Sequence, residues 1–531
     1  MDSEDSCKDC AYTTCDRLHS YAAHECKLSG GKPCQECAQM VILDSQISQV
    51  HSQLVQLAHK RHALKTKINQ RHEPFIHRLP WPVSSQIFEE YVHHSDFDPK
   101  VAIYSTYTRD WSPALFLSSI CAQWRKIAFA TSEIWRFINI PLLEDNPDVG
   151  LKIKLLKACV DRACQRTLFI GVFQFQLDEV PLFSRLEGKL DILEPLFEVI
   201  KEIACRSEEI TLWGLPPLAL QLIIPTNTPN LTVVRIGESN RYYPDEAGAV
   251  EWNFGDFSLA GPLLRNLDVG LGSGTLLHFC HIGWDTITTV AMSAINVKES
   301  IDILRQASCL TSFSFTLQDS YDTNPATPPI VNSTLEKLHI DSSKYGVDFV
   351  KFASSVTLPS LRELSLRTST LSNMKPLFER SQCQVRTFSL SLWDIIPEDD
   401  VLELLKILPS VEHLALQTSV ITSKFFEELG NFRDSHFKAS GDSANLLLPN
   451  LTSLSYTGIM HFTWPAFLKM FSPPGDVVLA AQRPLSEVSL KLDLPKNTGI
   501  ISNPDVIVKL REIQQSEVKL VVTNFKGKDL I

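Results

Sequence analysis

Long apolar runs are missing from the sequence, which excludes one broad class of protein. No stretch approaches the roughly 18 consecutive apolar residues that a membrane-crossing helix needs, and short runs such as 477–481 have the length of strands. The first thirty residues lack the basic start and apolar centre of a secretory signal, since they are acidic and rich in cysteine. We therefore expect no membrane partner and a cytoplasmic or nuclear location.

An excess of basic residues is absent too. Lys and Arg number 50 against 61 Asp and Glu, which gives a formal net charge of -11. Affinity for phosphates comes from clustered Lys and Arg, so a surface that binds nucleic acid over its whole extent is excluded. Only a local basic patch could make such contacts, and we expect nucleic acid to be an unlikely partner.

Familiar catalytic signatures are also lacking. The sequence contains no Gly-rich phosphate-binding loop, no His-Glu-x-x-His metal motif and no Gly-x-Ser-x-Gly nucleophile turn. Gly270, Gly272 and Gly274 alternate along one segment, but their spacing differs from that of a dinucleotide-binding loop. We therefore expect a protein that is not an enzyme and that requires no cofactor.

The composition itself is that of an ordinary globular protein. Hydrophobic residues make up 44% and charged residues 21% of the 531 positions, which is enough to bury a large core. A chain of this length allows about three or four domains, or fewer if one of them is a repeat array.

Cysteines are concentrated in residues 1–39. Six of the 13 fall within the first 37 residues, and the pairs Cys7/Cys10 and Cys34/Cys37 each form a Cys-x-x-Cys. Four such thiolates could close a tetrahedral structural zinc site, although the separation of the pairs is slightly beyond the usual spacing. The alternative is a flexible tail whose thiols bind nothing.

A heptad pattern follows in residues 40–72. Apolar residues recur three and four positions apart, and Arg61 alone interrupts the series. The members are Met40, Leu43, Ile47, Val50, Leu54, Leu57, Leu64 and Ile68. This pattern predicts a coiled-coil helix, which either pairs with a second copy to give a homodimer or folds back onto the chain's own next domain.

The segment 75–141 has two stretches with helical periodicity. Pro80 and Pro82 suit the start of a helix on which Val83, Ile87 and Phe88 share one face. In a second predicted helix, Ile120, Trp124 and Ile127 repeat that spacing. Large apolar side chains in so short a segment predict a small core and leave room for an exposed patch.

This segment resembles the F-box family, in the form common among proteins of mushroom-type fungi. The resemblance rests on a series of pairs that match the family pattern, with Pro82 standing where the family usually has Glu. The matching residues are Leu79-Pro80, Val83, Ile87-Phe88, Cys121, Trp124-Arg125, Ile127-Ala128 and Ile134-Trp135. A coiled-coil segment just upstream is also usual in that group.

The resemblance implies a function. F-box domains dock onto the Skp adaptor of cullin-RING ubiquitin ligases, and the region that follows selects the protein to be ubiquitinated. Residues expected at the adaptor contact are Leu79, Pro80, Val83, Ile87 and Phe88, with Ile120, Cys121 and Trp124 completing or supporting the surface.

The remaining chain, residues 150–531, carries a repeat of apolar-x-x-apolar-x-apolar. From Leu264 to Val411 the successive repeats start 23 to 26 residues apart. The ten starts are Leu231, Leu264, Ile287, Leu310, Leu335, Leu361, Val385, Val411, Leu451 and Leu485. A unit of strand, turn and helix with this period resembles a leucine-rich repeat, which implies an irregular solenoid with a parallel sheet.

The residue between the last two apolar positions of each repeat should face away from the core. Small side chains dominate these positions, and Arg235, Asp268 and His339 are the exceptions. They are the candidate contacts for a protein substrate, unless the small residues only relieve crowding on a curved sheet.

The sequence therefore predicts an α/β protein with a helical F-box domain, a preceding coiled coil and a following repeat solenoid. Its expected role is a substrate-recruiting adaptor that binds Skp and, through it, cullin, together with an unidentified protein substrate. Two alternatives stay open at this point: a non-ligase repeat scaffold, and a zinc-dependent regulator that binds nucleic acid.

Overall fold

A computed structural model provides the architecture. It describes residues 34–71, 79–94, 113–142, 148–174, 190–215, 217–225, 228–237, 257–259, 261–270, 280–318, 329–342, 347–430, 446–471, 484–493, 504–515 and 518–530. The chain divides into two compact units, residues 1–84 and residues 85–531.

The first unit contains one long helix, α1 (Gln35–Arg71), of 37 residues. The helix predicted over residues 40–72 is thus present. Its pairing as a coiled coil stays a prediction.

Three shorter helices follow: α2 (Trp81–His94), α3 (Pro113–Ile120) and α4 (Ala122–Ala130). The sequence pattern placed Ile120 and Trp124 on a single helix, and this was wrong. Cys121 has extended backbone angles (φ -157°, ψ 169°) and interrupts the chain between α3 and α4. Its sulfur accepts the Trp124 N–H at 3.4 Å and so caps α4, as an N-cap side chain does for an otherwise unpaired first-turn amide.

The second unit continues with further strands and helices. Its further helices are α5 (Val149–Arg162), α6 (Leu190–Ala204), α7 (Pro217–Ile223), α8 (Val297–Gln306), α9 (Val347–Ser355), α10 (Met374–Ser381), α11 (Glu398–Lys406), α12 (Ser423–Gly430), α13 (Trp464–Lys469) and α14 (Pro504–Gln515). Its strands are β1 (Phe137–Leu142), β2 (Leu168–Gln174), β3 (Ser207–Trp213), β4 (Val233–Gly237), β5 (Phe257–Leu259), β6 (Asn266–Gly270), β7 (Cys280–Ile282), β8 (Thr289–Ile295), β9 (Ser312–Leu317), β10 (Ile330–Val331), β11 (Lys337–Ser342), β12 (Val356–Thr357), β13 (Glu363–Thr368), β14 (Thr387–Leu392), β15 (His413–Gln417), β16 (Ser453–Ile459), β17 (Glu487–Asp493) and β18 (Lys519–Asn524).

Fourteen of these strands form one sheet. Neighbours in the sheet follow the order of the chain, from β1 to β18, and every pair is parallel. The four remaining strands pair separately, β5 with β7 and β10 with β12. The protein is therefore α/β with a large parallel sheet, which is the sheet that the resemblance of its repeat to leucine-rich repeats implied.

The repeat positions form the core of the sheet. All thirty apolar positions are buried except Leu485, which is half-buried. In β11, for example, Leu338 and Ile340 are 2% and 1% exposed, whereas His339 between them is exposed. The buried face packs against helices, as the 5.3 Å separation of the Phe315 and Phe352 rings illustrates. This alternation is what a sheet covered on one face requires.

Helix starts also link one repeat to the next. Glu398, the first residue of α11, accepts hydrogen bonds from the Thr422 N–H at 2.8 Å and the Thr422 hydroxyl at 2.5 Å. Thr422 precedes α12, so a carboxylate favoured at a helix start also fixes the loop that leads to the next helix.

Candidate interaction surfaces

The predicted adaptor contacts begin at the start of α2. Leu79 is half-exposed, and Pro80 and Val83 are exposed. The Pro80 carbonyl accepts the Ser84 N–H at 3.1 Å and so closes the first helical turn. Leu79 and Pro80 thus precede the helix, and Val83 lies on its first turn.

Two adjacent residues of α2 have opposite environments. Ile87 is 43% exposed, whereas Phe88 is only 1% exposed and its ring centroid lies 5.0 Å from that of Trp124 on α4. Phe88 is therefore a core residue, which corrects its assignment as a direct partner contact. The cause is the helical rotation of about 100° between consecutive residues, which turns one side chain outward and the next inward.

Further exposed apolar residues extend from Ile87. Tyr91 lies one turn later on α2, and its ring stacks on Phe116 of α3 with centroids 6.4 Å apart. Ile120 lies one turn beyond Phe116, and the four residues are each between 43% and 47% exposed. We call Ile87, Tyr91, Phe116 and Ile120 the α2–α3 patch. Tyr91 and Phe116 were missed from the sequence, although each lies four residues from a predicted contact.

Cys121 and Trp124 lie beneath the α2–α3 patch and hold α4 against α2 and α3. Both are half-buried, Cys121 caps α4 through its sulfur, and Trp124 packs on Phe88. The Arg125 guanidinium donates to the Ser118 carbonyl at 2.9 Å and so ties α4 to the last turn of α3. These contacts fix the angle between two helices that a single residue separates.

Hydrogen bonds and a cation–π contact also hold these helices in place. The Thr131 hydroxyl bonds to the Ser85 hydroxyl at 2.9 Å, and the buried Trp135 indole donates to the Ala128 carbonyl at 2.7 Å. The Arg162 guanidinium lies 4.2 Å from the ring centre of Phe129, a favourable cation–π distance. The exposed apolar patch therefore rests on a fixed helical frame.

The second surface is the face of the sheet opposite the buried positions. The central row of this face contains one residue from each of the fourteen strands of the large sheet, and consecutive residues in the row are register partners. In chain order these are Asn139, Gly171, Thr211, Arg235, Asp268, Ala291, Ser314, His339, Ser365, Ser389, Ala415, Ser455, Ser489 and Val521. We call this row and the two rows that flank it the open sheet face.

Arg235 forms an ion pair within the open sheet face. Its guanidinium bonds to the carboxylate of Glu209 on the neighbouring strand β3. Burial raises the pKa of Glu209, and the nearby charge of Arg235 offsets part of that rise. The substrate contact of Arg235 stays a prediction, and the ion pair shows that its charge already neutralises a half-buried carboxylate. Asp268 follows on β6 as the register partner of Arg235 and is half-buried.

His339 lies apart from that pair. Three strand spacings, about 14 Å, separate β11 from β6, so the three predicted substrate contacts do not form one site. His339 is exposed and its register partners are Ser314 and Ser365. Its pKa is lowered, chiefly because the crowded face reduces its hydration and secondarily because of Arg367, while Asp341 opposes the shift.

Charged and aromatic residues near His339 were not predicted. On the flanking row, Arg367 forms an ion pair with Asp341 at 3.1 Å, and its guanidinium lies 5.2 Å from the ring centre of Trp393. Trp393 is 53% exposed and donates its indole N–H to the Ser342 carbonyl at 3.2 Å. Counting two residues beyond each central position would have found Asp341 and Arg367.

The proposed zinc ligands are only partly within the described chain. Cys7 and Cys10 lie outside the described residues, and Cys34 is a half-exposed free thiol just before α1. Cys37 lies in the first turns of α1. Within the described ranges no group of three or more His, Cys, Asp and Glu side chains could hold a metal ion, so the zinc site stays a prediction.

Comparison with protein-family models and with curated proteins gave no match to this chain. Among the helices that the structure describes, none combines the length and apolar character needed to cross a membrane. The function proposed below therefore rests on the geometry of these two surfaces.

Proposed function

We propose that the protein is an F-box substrate-recruiting adaptor of a Skp-cullin-F-box ubiquitin ligase. In this proposal the α2–α3 patch docks on the Skp adaptor, and the open sheet face binds the protein to be ubiquitinated. The main observation in its favour is that Ile87 and Ile120, which both lie in the segment that resembles the F-box family, are 43% and 44% exposed.

The chemistry of the α2–α3 patch supports a protein partner. Two aliphatic and two aromatic side chains, each more than 40% exposed, lie on the adjoining helices α2 and α3. Apolar anchors of this kind supply most of the energy of a protein interface when a partner removes them from water. Phe88 and Trp124 would then keep the anchors in position without touching the partner.

The open sheet face supports a broad contact with a folded or extended substrate. It offers small polar residues with isolated charged positions such as His339 and Arg367, and the exposed ring of Trp393 lies beside Arg367 just after β14. Tryptophan and arginine are enriched among residues that dominate binding energy. We therefore place the substrate contact around β11 to β14 in preference to Arg235.

The test is the affinity of the purified full chain for the Skp adaptor. The double variant Ile87→Ala, Ile120→Ala should weaken binding by roughly tenfold or more, because each truncated anchor typically costs above 1 kcal/mol. The matched control is Ile192→Ala on α6, where the same truncation is made at a residue that is 55% exposed. The control should bind as the parent does.

Two results would contradict the proposal. One is an unmodified chain that fails to bind the adaptor at about 10 μM, a result expected of a repeat scaffold that does not join a ligase. The other is a double variant that binds as tightly as the Ile192→Ala control. Thermal unfolding followed by circular dichroism checks that each variant remains folded.

A further inference from the structure

Helix α1 presents a continuous apolar stripe to solvent. With Met40 at heptad position a, the a and d residues from Met40 to Ile68 are between 49% and 62% exposed, apart from the basic residue Arg61 at one a position. Among the described side chains of α1, only His51 is half-buried, and all the others are exposed. A stripe of this kind is the seam of a coiled coil.

A lone helix with this stripe lacks its main source of stability. Helices in water gain most of their stability from packing of an apolar face, and α1 includes β-branched residues such as Val50 and Val55, which have modest helix propensity. A second helix that covers the a and d positions would supply the missing contacts. The charges beside the seam determine which partner fits.

A parallel pair of two copies is unfavourable. In that arrangement, position g of one helix faces position e of the next heptad on the other, so Lys60 would face Lys65 of the second copy, twice by symmetry. At the a position, Arg61 would face Arg61 within the seam. Four lysines and two arginines would thus meet with no acidic partner.

An antiparallel pair removes every one of these conflicts. Its layers join an a residue to a d residue, which pairs Leu54 with Leu57, Ile47 with Leu64 and Leu43 with Ile68 of the second copy. Arg61 then lies opposite Val50, from where its long stem can cover the seam and its charge can reach water.

The flanking positions agree with the same arrangement. Asp44 and Lys65 both occupy position e, and in an antiparallel pair Asp44 of one copy lies beside Lys65 of the other. Two-fold symmetry repeats this pair at the other end of the coiled coil. The g positions pair Gln46 with Lys67 and Gln53 with Lys60. We propose that α1 forms an antiparallel coiled coil with a second copy of this chain, with the two-fold axis between Leu54 and Leu57.

The test measures the mass and dissociation constant of the full chain by sedimentation equilibrium. The parent should be a dimer, and Leu57→Asp should abolish it. Gln56→Asp, next to it on the exposed outer face of the helix, should leave the dimer intact. This pair introduces the same side chain on the same turn of the helix, so its effect on helix propensity is matched.

Charge exchange then tests the direction of the helices. Asp44→Lys and Lys65→Asp each replace two attractive pairs by two repulsive ones, and each should raise the dissociation constant about tenfold. The double variant Asp44→Lys, Lys65→Asp exchanges the partners and should return the constant to within about threefold of the parent.

Each contrary outcome overturns the proposal in a different way. If Lys65→Asp strengthens the dimer, the helices are parallel, because the new carboxylate then faces Lys60. If Leu57→Asp leaves the mass unchanged, the dimer uses another surface. A parent that is monomeric at about 50 μM shows that α1 packs on its own chain or remains unpaired. Circular dichroism of each variant verifies that the helix persists.

Discussion

Leucine residues follow a regular pattern in two regions of this chain, with opposite results. In α1, Leu57 is 62% exposed, whereas Leu338 in the repeat region is 2% exposed. Both patterns correctly indicate which face is apolar. The difference is that the apolar face of the sheet packs against helices of the same region, as Phe315 of β9 packs against Phe352 of α9, whereas the a and d side chains of α1 are exposed. Periodicity specifies an apolar face but not the group that covers it.

The largest expected effect tests the repeat side of this comparison. Phe388 is completely buried in β14, so Phe388→Ala should lower the free energy of unfolding by about 3–5 kcal/mol. Urea unfolding of the full chain gives this value. Ser389→Ala changes the next residue, which lies on the open sheet face, and should have little effect. Equal losses for the two variants would show that the strand does not separate an inner from an outer face.

A second prediction sharpens the comparison within one helix. Phe88→Ala should lower the free energy of unfolding by about 3 kcal/mol, because it removes the ring that packs on Trp124. Ile87→Ala should change stability by less than about 1 kcal/mol, since Ile87 is already in contact with water. Reversal of this order in thermal or urea unfolding would mean that α2 is rotated about its axis relative to the description given above.

A third and smaller effect concerns a polar group on the buried face. Tyr456 occupies a repeat position that is usually aliphatic, and its hydroxyl lies 2.7 Å from the Ile459 carbonyl and 3.0 Å from the Thr418 carbonyl. Burial raises the pKa of this phenol, so it stays protonated as a donor. Tyr456→Phe should cost about 1–1.5 kcal/mol, measured by urea unfolding. Ser455→Ala on the outer face is the control, and an unchanged Tyr456→Phe stability would argue against the hydrogen bond.

The smallest effect concerns pH and His339. Because its pKa is lower in the folded protein than the ordinary value of 6.5, the unfolded chain binds the proton more readily. The folded state therefore loses stability as the pH falls through 6.5 towards the folded pKa, and regains it above 6.5. His339→Gln should remove this part of the pH dependence, a change below about 0.5 kcal/mol because solvent screens the charge of an exposed side chain. Urea unfolding at pH 5.5 and 7.5 measures it, and an identical pH dependence in both proteins would contradict it.

The sequence predicted the sheet region well because one period controls both spacing and burial. Positions such as Leu338, Ile340 and Phe388 recur every 23 to 26 residues, and each lies on the buried face in register with its neighbours. Strands β1, β2, β3 and β18 lie outside the ten predicted repeats, and no sequence pattern predicted β2 or β18. Their sequences, Leu168–Gln174 and Lys519–Asn524, do not carry the full three-residue pattern, so only pairing with a neighbouring strand reveals them.

The surface residues were harder to predict, since their environment depends on packing between elements. Ile87 and Phe88 are adjacent apolar residues, and only the position of Trp124 distinguishes them. Cys121 has low propensity as a helix cap, so nothing in the sequence indicated that α3 and α4 are separate. Arg235 was chosen as an exception to the small side chains of its row. Its ion pair with Glu209, 26 residues earlier, forms only when β3 and β4 align.

The order of the strands has a consequence for how this protein can change. Each strand supplies one residue to the central row of the open sheet face and touches only the strands before and after it. Replacing Ser365 by a larger side chain would therefore alter the open sheet face at one strand without disturbing the strands further along. A surface assembled in this way can be re-targeted one position at a time, through substitutions that leave the buried face intact.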